Sequence, residues 1–352
     1  MRFSSLTVQN IRAHAAYQLS LSARVTVITG SNGSGKTSLL EALYVSLRGS
    51  SFKGSDADML QREAPWWRID VAAEGTEPRV VKFDPSRATG RKQFIVAGKT
   101  QYRLLEKYKH PVVLFEPDDL RLLHGSPTRR RQFIDRFIAQ LEPQYGVNLR
   151  RYERALKQRN NLLKQPNVPA DSLFVWDVAM SEYGAYIIDK RTEFIDSLAE
   201  SLEKTYHTIA KTDDVVGVRY SSPSRASTKQ KLLRELHERA NRDRILGYTS
   251  AGPHRHDVLF AFNGSPALTV ASRGEVRSIV LALKFLEVEY IERLTDTPPL
   301  ILLDDVFSEL DEHRQASLLT SRADTQVIVT STNLPETLRR RADVQHVLLG
   351  EK

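Results

Sequence analysis

The run Gly30–Thr37, GSNGSGKT, constrains this chain more than any other stretch, because it fits G-x-x-x-x-G-K-[ST] at every fixed position. Such a loop works only between a strand and a helix, and the flanking residues predict both. Val25, Val27 and Ile28 read as a short apolar strand, and Leu39, Leu40, Ala42, Leu43 and Leu47 recur at helical spacing. Gly30, Gly33 and Gly35 let backbone N–H groups close around phosphate oxygens, and the following helix adds its dipole. Ser31, Asn32, Ser34 and Ser38 fill out the stretch expected to line the phosphates. Lys36 is expected to reach the outer phosphates and the Thr37 hydroxyl to ligate Mg²⁺.

A phosphate grip also needs a carboxylate for the metal and a group that acts on the last phosphate. Both are offered far down the chain by LILLDDVFSELD, Leu300–Asp311. Four apolar residues ending in two acids read as a buried parallel strand, whose C-terminal end is where ligands bind in such sheets. Asp304 would hold the metal, directly or through water, and Asp305 would position the attacking water. A helix N-terminus decorated with acids is the plainer alternative for this run. The catalytic set is then Lys36, Asp304 and Asp305, with Thr37 and Asp304 on the metal.

The third piece is SRGEVRSIVLALKFLEVEY, from Ser272. In one reading Ser272 and Glu275 form a capping box, and Val276, Ile279, Val280, Leu283 and Leu286 are the buried face of the helix. In the other, Ser-x-Gly-Glu at a helix start ahead of Asp304 is an ABC-type signature. Ser272 and Gly274 would then bind the γ-phosphate of ATP held by a second subunit. Both can hold. The second makes ATP the glue of a two-fold symmetric homodimer.

The two halves of the head are separated by a change of texture. After Gly125, Ser126 is a ready N-cap and Pro127 a first helical residue, and Phe133, Ile134, Phe137, Ile138 and Leu141 form a helical stripe. The pattern breaks at Pro166 and Pro169 and resumes from Tyr183 to Tyr206. The expected organisation is α/β: an ABC-type head from 1–125 and 247–352, with an all-helical insertion over 126–246. Wholly helical, that insertion would measure about 180 Å, and the prolines cut it into pieces, so a compact lobe is expected rather than a coiled-coil rod. HDVLFAF and PALTV read as returning strands, and Ser221–Lys231 as a mobile loop.

The chain has 352 residues, a formal charge of +8 and no cysteine, which excludes disulfides and thiolate metal sites and is compatible with a phosphate-rich partner. MRFSSLTVQN has no apolar leader and no long apolar run follows, so a cytoplasmic protein that does not span a membrane is expected.

Several stretches carry a resemblance. VQNIRAH resembles the ATPase heads of the SMC and chromosome-repair group. SFKGSDADML (Ser51–Leu60), FEPDDLRLLHGSPTRRRQFID (Phe115–Asp135), GPHRHD (Gly252–Asp257) and LLDDVFSELDEHR (Leu302–Arg314) resemble the RecF family of bacterial recombination mediators, end to end. The resemblance implies an ATP-dependent homodimer and sequence-independent DNA binding at junctions of single and double strands. It also implies weak DNA-stimulated ATP hydrolysis, and recombinase loading in DNA repair, replication restart and the SOS response with RecR and RecO. It makes Gly30–Thr37 the Walker A, Asp304 and Asp305 the Walker B, Ser272–Arg277 the signature and Ser308–Asp311 the D-loop. Glu116 and Asp118 would lie in a nucleotide-sensing loop. Three departures stand out: Glu275 and Val276 where the signature usually has Gln and another residue, His256 where an acid is commoner, and TSTN (Thr330–Asn333) without a switch histidine.

Candidate DNA contacts are Arg129, Arg130 and Arg131, then Arg150 and Arg151, with Arg339, Arg340 and Arg341 as a third cluster. Solvated helix faces are the plain alternative for each. Two other functions remain open at this level. A transporter ATPase subunit needs a membrane partner and is disfavoured by the long insertion. A P-loop phosphotransferase has no use for the Ser272 helix start.

Overall fold

The computed structural model describes residues 2–165, 169–222, 228–295, 297–307, 310–312, 314–315, 325–339 and 341–350. In chain order the strands and helices begin with β1 (Phe3–Ile11), β2 (His14–Ser20), β3 (Val25–Thr29) and α1 (Lys36–Arg48). They continue with β4 (Trp67–Ala73), β5 (Arg79–Phe83), β6 (Lys92–Val96), β7 (Lys99–Gln101) and β8 (Val112–Phe115). Next come α2 (Pro127–Leu141), α3 (Pro143–Leu163), α4 (Ala170–Ala210), β9 (Val216–Ser221), α5 (Lys229–Glu238) and α6 (Ala240–Leu246). The last are β10 (Asp257–Phe262), β11 (Ser265–Pro266), α7 (Ala267–Val270), α8 (Arg273–Thr295), β12 (Leu300–Asp304), β13 (Val327–Ser331), α9 (Glu336–Arg339) and β14 (Val344–Leu348).

Met1–Asp119 with Val288–Lys352 forms one compact unit and Leu120–Glu287 another. In the first, an antiparallel sheet of order β2-β1-β4-β5-β6-β7 and a sheet of order β14-β3-β13-β12-β8 share one hydrophobic core with α1. All four pairings of the second sheet are parallel. Its inner strands β3, β13 and β12 are buried at every residue, as expected where both faces are covered. β4 instead alternates buried and half-buried residues, the mark of a sheet with one face open. Because β13 lies between β3 and β12, the C-terminal ends of all three come together, and the glycine loop and the acid pair lie at those ends.

The second unit divides from the first at other points than 125/126 and 246/247. β10 pairs with β9 on one side and β11 on the other, so the strands after Leu246 stay with the unit that contains β9. β9 is also the exception among the described elements between Ser126 and Leu246, the rest of which are helices: Val216 and Val218 are buried with Gly217 between them, a strand period. PALTV is not a strand beyond Pro266. Its remainder is the single helical turn of α7, which Thr269 ties to the Pro266 carbonyl at 2.8 Å. Of the stretch Ser221–Lys231, residues 223–227 lie outside the described residues, and Lys229–Lys231 are the first turn of α5.

Two buried arginines organise this unit. Arg159, with no exposed surface, donates to Asp177 at 2.6 Å, to Asp243 at 2.7 Å and to Thr249 at 3.0 Å. Arg191 forks onto Asp135 at 2.8 Å and also reaches the Pro253 carbonyl. Burial pushes the carboxyl of Asp177 up, and the Arg159 charge opposes it. A buried cation needs such partners, since leaving either side unpaired is costly.

Candidate functional site

Gly35 caps α1 at φ 97°, and Gly33 also lies in the left-handed region at φ 83°. A Cβ on Gly35 would stand 2.3 Å from His14 Nε2, so the loop requires glycine there for space as well as for conformation. Lys36 is buried and donates to the carbonyls of Gly30 at 2.9 Å and Ser31 at 3.1 Å, which keeps its ammonium inside the loop. Ser34 Oγ is buried without a hydrogen-bond partner among the described residues. Buried polar atoms are rarely left so, and one within a glycine loop suits an anion's oxygens.

Thr37 joins the two distant halves of the chain. Its hydroxyl donates to Asp304 Oδ1 at 2.7 Å. Thr330 of β13 supports the same carboxylate from its other flank, donating to Asp304 Oδ1 at 2.9 Å and accepting from the Asp305 N–H at 3.0 Å. Asp305 takes φ 53°, unusual for a residue with a side chain. Half-burial pushes its carboxyl above the ordinary aspartate range and the Asp304 charge adds to this, while Lys36 and Lys53 oppose it. A carboxyl so raised is suited to accept a proton from water.

Residues not singled out from the sequence complete the site. The loop after α1 is tied back by Ser51, whose hydroxyl donates to Glu41 and accepts from the N–H groups of Lys53 and Gly54. That turn carries Lys53 Nζ to 3.6 Å from Asp304 Oδ2. Arg12 forks onto fully buried Glu41 at 2.7 and 3.0 Å. Together Arg12, Asn32, Lys36, Thr37, Lys53 and Asp305 line most of a cavity of about 310 Å³ over the loop. Lys53 lies within SFKGSDADML and Thr330 opens TSTN, but their roles were not legible, because only strand order and the turn at Ser51 bring them beside Asp304.

The donor set fits a nucleoside triphosphate with Mg²⁺. Asn32, Gly33, Gly35 and Lys36 of the loop line the cavity, and the Thr37 hydroxyl already bonded to a carboxylate is an oxygen pair for a hard cation. Ser272 and Gly274 belong to the second unit, while the cavity over the loop is lined by the first unit alone. Both are exposed at the start of α8, where Ser272 and Glu275 form the capping box: the Ser272 N–H meets Glu275 Oε2 at 2.5 Å and the Glu275 N–H meets Ser272 Oγ at 3.4 Å. Of the expected D-loop, Ser308 and Glu309 lie outside the described residues, and Asp311 pairs with Arg314. Glu116 follows the end of β8, beside β12, and its N–H is held by Asp119 at 3.0 Å.

The arginine clusters divide. Arg130 is corrected from DNA contact to core: it is buried, forks onto Asp257 at 2.9 and 2.7 Å and donates to the carbonyls of Leu123 and Gly125. Arg131 is likewise turned inward, onto the His256 carbonyl at 2.6 Å and Thr128 at 2.9 Å. Arg129 is half-exposed, and Arg150 and Arg151 are exposed on α3, Arg151 lying over the Tyr183 ring at 5.8 Å. Arg339 pairs with Glu336 and Arg341 with Asp343, and Arg340 lies outside the described residues. GPHRHD is structural as well. His254 meets the Tyr152 hydroxyl at 2.6 Å and His256 that of Tyr220 at 2.7 Å, and burial lowers their pKa values to about 4 and about 3.

No helix among the described residues is long and apolar enough to cross a membrane. Residues 5–238 match the family model described as an AAA domain. The DNA replication and repair protein RecF of Agathobacter rectalis is 34% identical over 100% of this chain and 98% of its own length. That of Symbiobacterium thermophilum is 33% identical over 99% and 96%. A solved structure described as the recombination mediator protein RecF-ATP in the RecFOR pathway superposes with a TM-score of 0.82 at 28% identity, over 95% of this chain and 93% of that one. At 33–34% identity over nearly the whole length of both chains, this chain belongs to the RecF family of DNA replication and repair proteins.

Proposed function

We propose that this chain is an ATP-dependent recombination mediator that binds DNA as a homodimer and acts in DNA repair. The observation that carries the reading is the 2.7 Å bond from Thr37 to Asp304, which unites the glycine loop with the acid pair in one site. Lys36 and the N–H groups of Gly30–Gly35 hold the outer phosphates of ATP, and Thr37 and Asp304 hold its Mg²⁺. A metal held by Thr37 and Asp304 would draw charge from the phosphates and so ease transfer of the terminal phosphoryl group to water. Asp305 orients that water and accepts its proton, a role supported by its raised pKa. Ser272 and Gly274 act on the γ-phosphate bound to a second copy, so hydrolysis releases the dimer. Their exposure at a helix N-terminus supports this.

DNA is held through phosphates, sequence-independently, by Arg150 and Arg151 and by Arg129, in duplex and at junctions with single strand. Relatives named for the RecFOR pathway support RecR and RecO as partners and recombinase loading at gaps as the outcome. The site is suited to slow turnover that times release, in the cytoplasm where the chromosome lies.

Light scattering in ATP·Mg²⁺, in ADP and without nucleotide tests the reading. A mass that doubles only in ATP is expected, lost in Lys36→Met and in Ser272→Arg, the latter still binding ATP. A monomer in all three states would overturn the dimer and favour a phosphotransferase. A Ser272→Arg protein that still pairs would overturn the trans role of the signature.

A further inference from the structure

The open face of the antiparallel sheet carries a second concavity, of about 280 Å³, whose lining includes Trp66, Arg68, Lys82, Arg87 and Arg91. β4 alternates, so Trp67 turns into the core without exposure, while Trp66 keeps 41% of its surface in solvent. Strand register sets Gln9, Arg68, Lys82 and Gln93 in one row across β1, β4, β5 and β6. At ~4.8 Å between strands that row is about 14 Å long.

The row is electrostatically incomplete. Arg68 stands opposite Lys82, and like charges so placed weaken a sheet. Asp70 answers Arg68 with a fork at 2.7 Å, but Lys82, Gln9, Gln93 and the Trp66 indole have no hydrogen-bond or ion-pair partner among the described residues. Arg87 meets Asp84 at 3.3 Å, and among the described residues the Arg91 side chain meets only the Arg87 carbonyl, at 3.1 Å. Asp70 and Asp84 answer Arg68 and Arg87, so Lys82 and Arg91 supply the surplus positive charge that shares this shallow surface with side-chain amides and an exposed indole.

We propose that this face binds a short stretch of single-stranded DNA, with a base on Trp66 and neighbouring phosphates on Lys82, Arg87 and Arg91. A stacking ring among cations is the chemistry of sequence-tolerant single-strand binding. A duplex keeps its bases in the stack and gives Trp66 nothing to cover; an acidic peptide would use the cations and leave the ring bare. The proposal deepens the DNA-binding reading above but needs neither ATP nor a second copy.

The test is anisotropy of a labelled oligo(dT) and of a labelled duplex, each with and without ATP, on the full chain. Trp66→Ala is expected to weaken oligo(dT) binding about tenfold, with Trp66→Phe restoring most of it. Lys82→Gln should reduce the slope of log affinity against log salt by about 0.7. Duplex binding in ATP should be unchanged in all three; failure of the unmodified chain to bind duplex would count against the dimer reading alone, whereas duplex binding lost in Trp66→Ala would count against this face. Unchanged oligo(dT) affinity in Trp66→Ala, equal affinity for an abasic strand, or competition by polyglutamate as strong as by oligo(dT) would overturn the proposal.

Discussion

Around Gly30–Thr37 polar atoms are left open, whereas around Arg130, Arg159 and Arg191 they are closed. Ser34 Oγ has no partner among the described residues, Lys36 rests on two loop carbonyls, and Asp305 holds a positive φ and a raised pKa. In the second unit, three arginines equally rich in donors are each forked or bridged between carboxylates and carbonyls. Charge alone therefore does not mark a site. What distinguishes the loop is hydrogen-bonding capacity that the chain itself does not satisfy, which is where a ligand adds stabilisation.

The sharpest way to break this contrast is to remove a closed arginine. Arg159→Met leaves Asp177 and Asp243 buried without their cation and is expected to cost about 3–5 kcal/mol by urea denaturation. Lys36→Met should move the midpoint little while abolishing nucleotide binding. Equal losses in the two variants would show that the loop lysine is as structural as the buried arginine.

Next in size is Asp305→Asn. Turnover of ATP is expected to fall by about a hundredfold or more with thermal stability kept, since asparagine tolerates positive φ and carries no charge to bury. Turnover at the wild-type rate would remove Asp305 from catalysis.

A smaller effect separates the two regions by pH. His254 and His256 are neutral in the fold, with values near 4 and 3, and the unfolded chain protonates near 6.5. Below 6.5 the unfolded state binds more protons, so the stabilisation present at pH 7 is lost as pH falls toward 4 and 3. About 1–2 kcal/mol per histidine should be gone by pH 5. His256→Gln should flatten that dependence in urea midpoints measured at pH 7, 6 and 5; an unchanged slope would refute it.

The smallest effect on stability is expected at the exposed arginines. Arg151→Gln should change folding by less than about 0.5 kcal/mol. It should lower the salt slope of duplex binding by about 0.9. Arg130→Gln should do the reverse, destabilising the fold through Asp257 while leaving the salt slope intact.

Local pattern made much of the site legible. Strand, glycine loop and helix lie together within a short stretch of chain, and the four apolar residues before Asp304 can be read as a buried strand without knowing their neighbours. The capping box of Ser272 and Glu275 is equally local. PALTV misled because a proline and an i+3 hydroxyl bond favour a turn over the alternation its apolar residues suggest. The helical character of the insertion was plain from its stripes, but β9 needed its partner β10 to become a strand.

By itself the sequence determined the chemistry on offer: a phosphate loop, a metal-binding acid pair, a capped helix start and a surplus of arginine. Periodicity and spacing encode these because they depend on residues within a turn or two of one another. Only tertiary structure decided which groups meet. It brought Thr330 and Lys53 to Asp304, closed Arg130 onto Asp257, and left Lys82 and Trp66 open on a sheet face. Burial and partnership of a charge are set by strands and helices far apart in the chain, and no short window of sequence contains them.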